Sequence, residues 1–390
     1  MEAEIRYYKK RLFRFILSPM KLLKVKPNRI MLHNDMAQNY SGNPRYICDY
    51  LVENFDDEVE ILFSVKDTAK YSGFKNNRIK FVKFNSFKYF IGIMTSKIFI
   101  TNSGGYSYVP LRKNQIVINT HHGGGAYKKI GRYVYEDTPI FRKDLKLTAD
   151  QTTIFLSSCK KFTKVVSDSL LIPENKFWEI GMPRNDILVH MNDDMIQAVR
   201  KKIGLANNQH LVLYAPTYRK QDDNYFKDYV SIAYGIDPDK VCEALSKKFG
   251  GEWIFGYRMH PCVVNNNAIE GHNVLNLTNY EEMQELLLAA DVMINDFSSS
   301  MWDFILTGKP SFMFAIDAQH YIETTKLETP VNEWPLPKST TNEELVDSIL
   351  NFDLKKYRED CEKHYQALGG CETGHATELV CKYIKENINI

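Results

Sequence analysis

Ala290-Asp291-Val292-Met293-Ile294-Asn295-Asp296-Phe297-Ser298-Ser299-Ser300-Met301-Trp302-Asp303-Phe304 runs from the end of a helix into a short apolar stretch, then a cluster of hydroxyls, then a new helical pattern. A second apolar run, Ser311-Phe312-Met313-Phe314-Ala315, follows Thr307-Gly308-Lys309-Pro310. The pattern is a buried parallel strand, a polar turn, a helix and the next strand, the repeating unit of an α/β sheet. Hydroxyls at a strand-to-helix turn lie where ligands of open α/β sheets bind. The first turn of a helix also attracts phosphate through its free N–H groups and dipole. Two readings of Ser298 and Ser299 stand at this point: contacts to a phosphate, or simple N-caps.

The same alternation extends through the chain. Strands are expected at 29–32, 59–65, 79–82, 97–102 and 115–120, with helices opening at Asn43-Pro44-Arg45 and over 87–94. The segment Phe177-Trp178-Glu179-Ile180-Gly181-Met182-Pro183-Arg184-Asn185-Asp186 closes this series. A new series begins at Leu211-Val212-Leu213-Tyr214 and continues at 253–258, 274–277, 292–294 and 311–314. The division is therefore an N-terminal leader (1–26), a first α/β domain (27–190), a second α/β domain (191–374) and a C-terminal helix (375–390) that returns to the first. Two such domains facing a cleft are an architecture of nucleotide-dependent transferases.

The 390 residues suit two or three domains, and 44% hydrophobic content fills their cores. The seven cysteines (Cys48, Cys159, Cys242, Cys262, Cys361, Cys371 and Cys381) form no CxxC pair, which fits a reducing compartment and not a disulfide frame or zinc site. Net charge is +2, unevenly spread: residues 1–29 hold nine Lys/Arg and two Glu, leaving 41 basic and 46 acidic residues elsewhere. A nucleic-acid binder would carry a basic body, so nucleic acid is not an expected partner. In the leader, Ile5, Tyr8, Leu12, Phe15 and Ile16 recur at steps of three and four, with Arg6, Lys9, Lys10 and Arg14 between them. Such a helix lies on an anionic membrane surface, or packs on the body of the protein. It is too short and too charged to span a bilayer.

Three strand-end loops carry chemistry. Asn119-Thr120-His121-His122-Gly123-Gly124-Gly125-Ala126-Tyr127-Lys128-Lys129 ends a strand in two histidines and three glycines. A histidine so placed serves as a general base near neutral pH, His122 ahead of His121, and Lys128 and Lys129 suit a phosphate. Tyr214-Ala215-Pro216-Thr217-Tyr218-Arg219 offers a hydroxyl and a guanidinium. Arg258-Met259-His260-Pro261 offers two groups suited to a diphosphate. No P-loop, dinucleotide fingerprint or HExxH is present. The expected site needs neither metal nor cofactor.

As a set, these segments resemble the CDP-glycerol glycerophosphotransferase family, the teichoic-acid and capsule-type enzymes of bacteria. Ser41-Gly42-Asn43-Pro44-Arg45, Asn119 to Gly131, Gly181 to Asp186, Leu213 to Arg219, Arg258 to Pro261 and Asp291 to Phe304 follow the family's motifs in order. Two departures stand out: His121 replaces a tryptophan, and Gly124-Gly125-Ala126-Tyr127 replaces the family's TPL. The resemblance implies a GT-B-like fold of two Rossmann-like domains, a CDP-glycerol or CDP-ribitol donor, and a lipid-linked saccharide acceptor at the cytoplasmic face of the bacterial membrane. It implies His122 as the base, with Arg258 and His260 joining it in catalysis. Donor contacts would come from Pro216, Thr217, Arg219, Arg258, His260, Asp296, Ser298 and Ser299. The acceptor side would hold His121, Gly123, Gly124, Lys128, Arg184 and Asp186. The fold alone equally permits a glycosyltransferase using a nucleotide sugar.

Overall fold

The structure, a computed structural model, describes residues 2–34, 38–57, 59–217, 235–259 and 269–388. It divides into two compact units, one formed by residues 1–186 with 368–390 and the other by 187–367.

The first unit is a seven-stranded parallel sheet: β1 (Lys26–His33), β2 (Glu60–Val65), β3 (Ile79–Lys83), β4 (Ser96–Thr101), β5 (Ile116–Asn119), β6 (Ile154–Ser157) and β7 (Phe177–Glu179). Its spatial order is β3-β2-β1-β4-β5-β6-β7, so the chain direction across the sheet reverses between β1 and β4. β6 is a strand the sequence pattern did not single out. Its four residues are all buried, and a run that short carries no alternation to read. Helices begin where side chains cap them. Ser86 accepts from Tyr89 N–H to start α3 (Phe87–Thr95), and Thr138, followed by Pro139, accepts from Phe141 N–H to start α4 (Pro139–Ala149). One face of the sheet packs Met31, Phe99 and Val117 against Tyr89, Ile93 and Met94 of α3.

The second unit is a six-stranded parallel sheet: β8 (Gln209–Tyr214), β9 (Glu252–Tyr257), β10 (Val274–Asn276), β11 (Val292–Asn295), β12 (Ser311–Phe314) and β13 (Lys338–Ser339). The order is β10-β9-β8-β11-β12-β13, and the direction reverses between β8 and β11. Its core joins Leu211, Leu213 and Met293 of the sheet to Leu286, Leu287 and Phe304.

Residues 368–374 belong with the first unit. Lys160 and Lys161 N–H donate to the Gly369 and Leu368 carbonyls, and Cys371 N–H donates to Ser158. The last helix, Ala376–Asn387, is then capped by Asp186, whose carboxylate accepts from Ala376 and Thr377 N–H at 3.1 and 2.8 Å. Gly181 sits at φ +87°, and a Cβ there would lie 2.6 Å from the Glu372 carboxylate. Only glycine lets this return segment come so close.

The leader forms α1 (Glu2–Leu17), packed on α4 by its charged side. Arg6 and Lys10 both pair with Asp144, and Arg14 donates to the Ser107 and Val109 carbonyls and to Gln151. Tyr8, Leu12, Phe15 and Ile16 are left in solvent, Phe15 with 77% of its surface exposed. The periodicity gave the two stripes correctly. Which stripe meets the body was decided by Asp144, a buried carboxylate that needs cations. No helix among the described residues is long and apolar enough to cross a membrane.

Candidate active site

In the first unit, the strands nearest the reversal end in a chain of amides. Asn34, after β1, donates to Ser41 Oγ at 2.7 Å and accepts from Asn102, after β4. The Asn102 carbonyl in turn lies 3.1 Å from His122 Nδ1. A carbonyl only accepts, so Nδ1 carries the proton and Nε2 presents its lone pair. The His122 side chain is exposed.

The backbone beneath His122 is held from three directions. Asn119 Oδ1 accepts from His121 N–H at 2.9 Å. Asn43, in the turn of α2 (Gly42–Asn54), donates to the Thr120 and His121 carbonyls at 3.2 and 2.9 Å and accepts from Arg184 N–H. The Arg184 guanidinium donates to the His122 carbonyl at 2.5 Å. His121 takes φ +51°, a left-handed conformation uncommon outside glycine, and this kink turns the chain out of β5.

The two imidazoles stack at 4.5 Å but differ in surroundings. His121 packs on Phe155 and Phe162, and burial, then the neighbouring His122, pushes its pKa down to about 3. It stays neutral and accepts from Gly123 N–H. Of the two rings, His122 is the exposed one, with Nδ1 on the Asn102 carbonyl and Nε2 open. Of the three glycines, Gly125 is the one at positive φ, where a Cβ would strike the Tyr127 ring at 2.3 Å. Lys128 lies half-buried further along the same loop.

In the second unit, the loops after β8 and β11 meet at the reversal. Buried Asp296 accepts from Thr217 N–H and Oγ1 at 2.8 and 2.6 Å through one oxygen. Asn295 holds the turn by donating to the Ser298 carbonyl and accepting from Asp296 N–H. The helix that follows, Ser300–Ile305, is only six residues long. Ser298 Oγ accepts from Ser300 N–H and Oγ, while Ser299, at the N-cap position, makes no side-chain capping bond. The simple N-cap reading therefore fails for Ser299.

Several predicted residues are placed differently from expectation. Arg258 directs its guanidinium to the Tyr280 and Glu281 carbonyls and to Met283 Sδ, and burial lowers its pKa despite Glu282 nearby. It braces that loop. Arg184 supports the backbone of His122, and Asp186 serves as a helix cap. Gly123 and Gly124 shape the loop without positive φ. Pro216 is a half-buried residue of the loop after β8. Arg219 and His260 lie outside the described residues.

Residues missed in sequence were Asn43, Asn102 and Glu372. Asn43 sits in the quoted Asn-Pro turn, and Asn102 was visible as a polar strand end. Glu372 accepts from Met182 N–H and Asn185 Nδ2, a contact across 190 positions that no local pattern signals.

A family model described as CDP-glycerol:poly(glycerophosphate) glycerophosphotransferase matches residues 16–386. The chain is 25% identical over 377 residues to a teichoic acid poly(glycerol phosphate) polymerase of Staphylococcus epidermidis, covering 93% of this chain and 51% of that protein. It is also 25% identical over 385 residues to a teichoic acid glycerol-phosphate transferase of Staphylococcus aureus, covering 95% and 96%. The chain thus spans about half of the first relative and nearly all of the second. A solved structure of the wall teichoic acid polymerase TagF matches with TM-score 0.82 at 23% identity, over 99% of this chain and 97% of that one. That likeness establishes the architecture as GT-B-like, with two parallel-sheet α/β domains.

Proposed function

The chain belongs to the CDP-glycerol:poly(glycerophosphate) glycerophosphotransferase family and is a transferase of that type, and from that premise we propose that it moves an alditol phosphate from a CDP-alditol, CDP-glycerol first, to a hydroxyl of a lipid-linked saccharide in teichoic-acid-type polymer synthesis. One observation carries the reading: His122 Nδ1 is committed to the Asn102 carbonyl, so Nε2 is available to take a proton.

In this reaction Nε2 accepts the acceptor's hydroxyl proton as that oxygen attacks the β-phosphorus. The bond from the β-phosphorus to the oxygen bridging the two phosphates breaks. CMP leaves with the electron pair, a phosphodiester forms, and the proton passes from His122 to solvent. Phosphoryl transfer depends on positioning and charge stabilisation. Ser298 and Ser299 serve as donors to the diphosphate, with Thr217 set beside them by Asp296. His260 and Arg219 keep the donor-binding roles that the family motifs imply, and Arg258 braces the loop at Tyr280 and Glu281.

The exposed row Tyr8, Leu12, Phe15 and Ile16, bordered by exposed Lys9, Arg11 and Lys21, brings the enzyme to the anionic cytoplasmic face of the bacterial membrane. Acceptor-dependent release of CMP from CDP-glycerol and from CDP-ribitol, with mass analysis of the product, tests the reaction. A mass gain of one or more alditol phosphates supports it. Turnover of nucleotide sugars in place of both CDP-alditols would replace it with glycosyl transfer. Flotation with anionic vesicles tests the membrane role, and equal flotation of Phe15→Glu and the unchanged protein would overturn it.

A further inference from the structure

Between α1 and the body of the first unit lies a cavity of about 680 Å³, within the range of small-molecule sites. Its walls are apolar: Ile5 and Phe13 from α1 face Phe90 and Tyr108. The wall is fixed in place. Tyr108 meets Phe13 and Phe90 edge-on at 6.2 and 6.3 Å, and its hydroxyl donates to Asn85 Oδ1 at 2.6 Å. Asn85 holds φ +57° at the turn into α3.

The polar part of the lining is cationic. Arg6 and Lys10 share the single carboxylate of Asp144, and Lys9 makes no hydrogen bond or ion pair among the described residues. Three cations against one carboxylate leave the lining with an excess of two positive charges. Apolar walls with a surplus of ammonium and guanidinium match a molecule with a hydrocarbon part and an anionic end. Ile5 and Phe13 are each about half exposed, 48% and 49%, and continue into the bare apolar row of α1, so the cavity opens beside the surface assigned to the membrane.

We propose that this cavity binds one anionic amphiphile per chain, its hydrocarbon against Phe13, Phe90 and Tyr108 and its phosphate at Lys9 and Arg6. The site goes beyond the transferase reading, because neither His122 nor the serines of the second unit take part. A phosphate on an apolar chain is common to bilayer phospholipids and to the anchor of a lipid-linked acceptor, and two probes separate these sources.

The full chain is titrated with farnesyl phosphate and with dihexanoyl phosphatidylglycerol, each below its micelle-forming concentration. Farnesol and inorganic phosphate serve as controls, with native mass spectrometry and calorimetry as readouts. The expected result is one ligand per chain, with affinity at least tenfold weaker for both controls. Lys9→Glu, which reverses the free charge, and Ile5→Trp, which fills the cavity from an exposed position, should each weaken binding at least tenfold. Preference for farnesyl phosphate identifies an acceptor anchor, and preference for phosphatidylglycerol a bilayer lipid; either upholds the site. Absent binding, farnesol bound as well as its phosphate, several ligands per chain, or affinity unchanged in both variants would overturn it. CMP release with a soluble acceptor reports separately on the transferase reading.

Discussion

The loop after β5 and the loop after β11 occupy equivalent places, each at the carboxyl end of a parallel strand, yet they are built differently. Around His122 the protein supplies its own partners: Asn102 fixes the ring, while Asn43 and Arg184 hold the backbone. Around Ser299 the scaffold is tied through Asn295 and Asp296, but the hydroxyl at the N-cap position makes no capping bond. On the proposed reading, His122 as the base must be held in one tautomer before substrate arrives, and its loop is organised in advance. Groups that meet a diphosphate gain by keeping their hydrogen bonds for the ligand.

The contrast can be broken at its strongest point first. His122→Ala should lower kcat about a thousandfold with the fold intact by circular dichroism; a variant keeping a tenth of the activity would remove the base from this loop. Asn43→Ala strips the Thr120 and His121 carbonyls and Arg184 N–H of their shared partner. Leaving such buried groups unpaired should cost about 3 kcal/mol of stability, measured by urea unfolding; a loss within error would mean that the clamp carries no load.

Acid sharpens the comparison. Burial pushes His33 down to about 4, and His121 is held at about 3, both in the first unit. An unfolded histidine binds its proton near pH 6.5, so between these values the unfolded state holds more protons and stability falls with pH. From pH 7 to 5 the loss should be on the order of 2 kcal/mol from His33 alone. Hydrogen exchange should show the first unit loosening before the second; equal loosening would count against the assignment. The smallest effect is expected from Ser298→Ala with Ser299→Ala: about a tenfold rise in KM for the CDP-alditol, with about 1 kcal/mol of stability lost because Ser298 Oγ accepts from Ser300. A fall in stability with KM unchanged would make these serines caps and nothing more.

Apart from strands as short as β6, both sheets were readable because apolar runs and polar strand ends alternate in the chain, and those strand ends are the loops of the candidate site. Less readable were contacts that do not depend on side-chain type. The partner of His122 is a backbone carbonyl, which any residue at position 102 would offer. For Arg258, sequence shows a guanidinium suited to phosphate but not the Tyr280 and Glu281 carbonyls it also meets. The leader showed its two stripes plainly, yet which one turned inward was determined far along the chain, by Asp144, which takes Arg6 and Lys10, and by the Ser107 and Val109 carbonyls, which take Arg14.

The return of residues 368–388 to the first unit has a consequence for how the protein is made. The Asp186 carboxylate waits for Ala376 and Thr377, and Glu372 must reach Met182 and Asn185 beside the Asn43 clamp. A ribosome delivers all of 187–367 before it delivers these partners. Domains fold as units while the chain emerges. The serine-bearing domain, encoded second, is therefore complete first, and the histidine-bearing domain closes only once residues 368–388 have followed it.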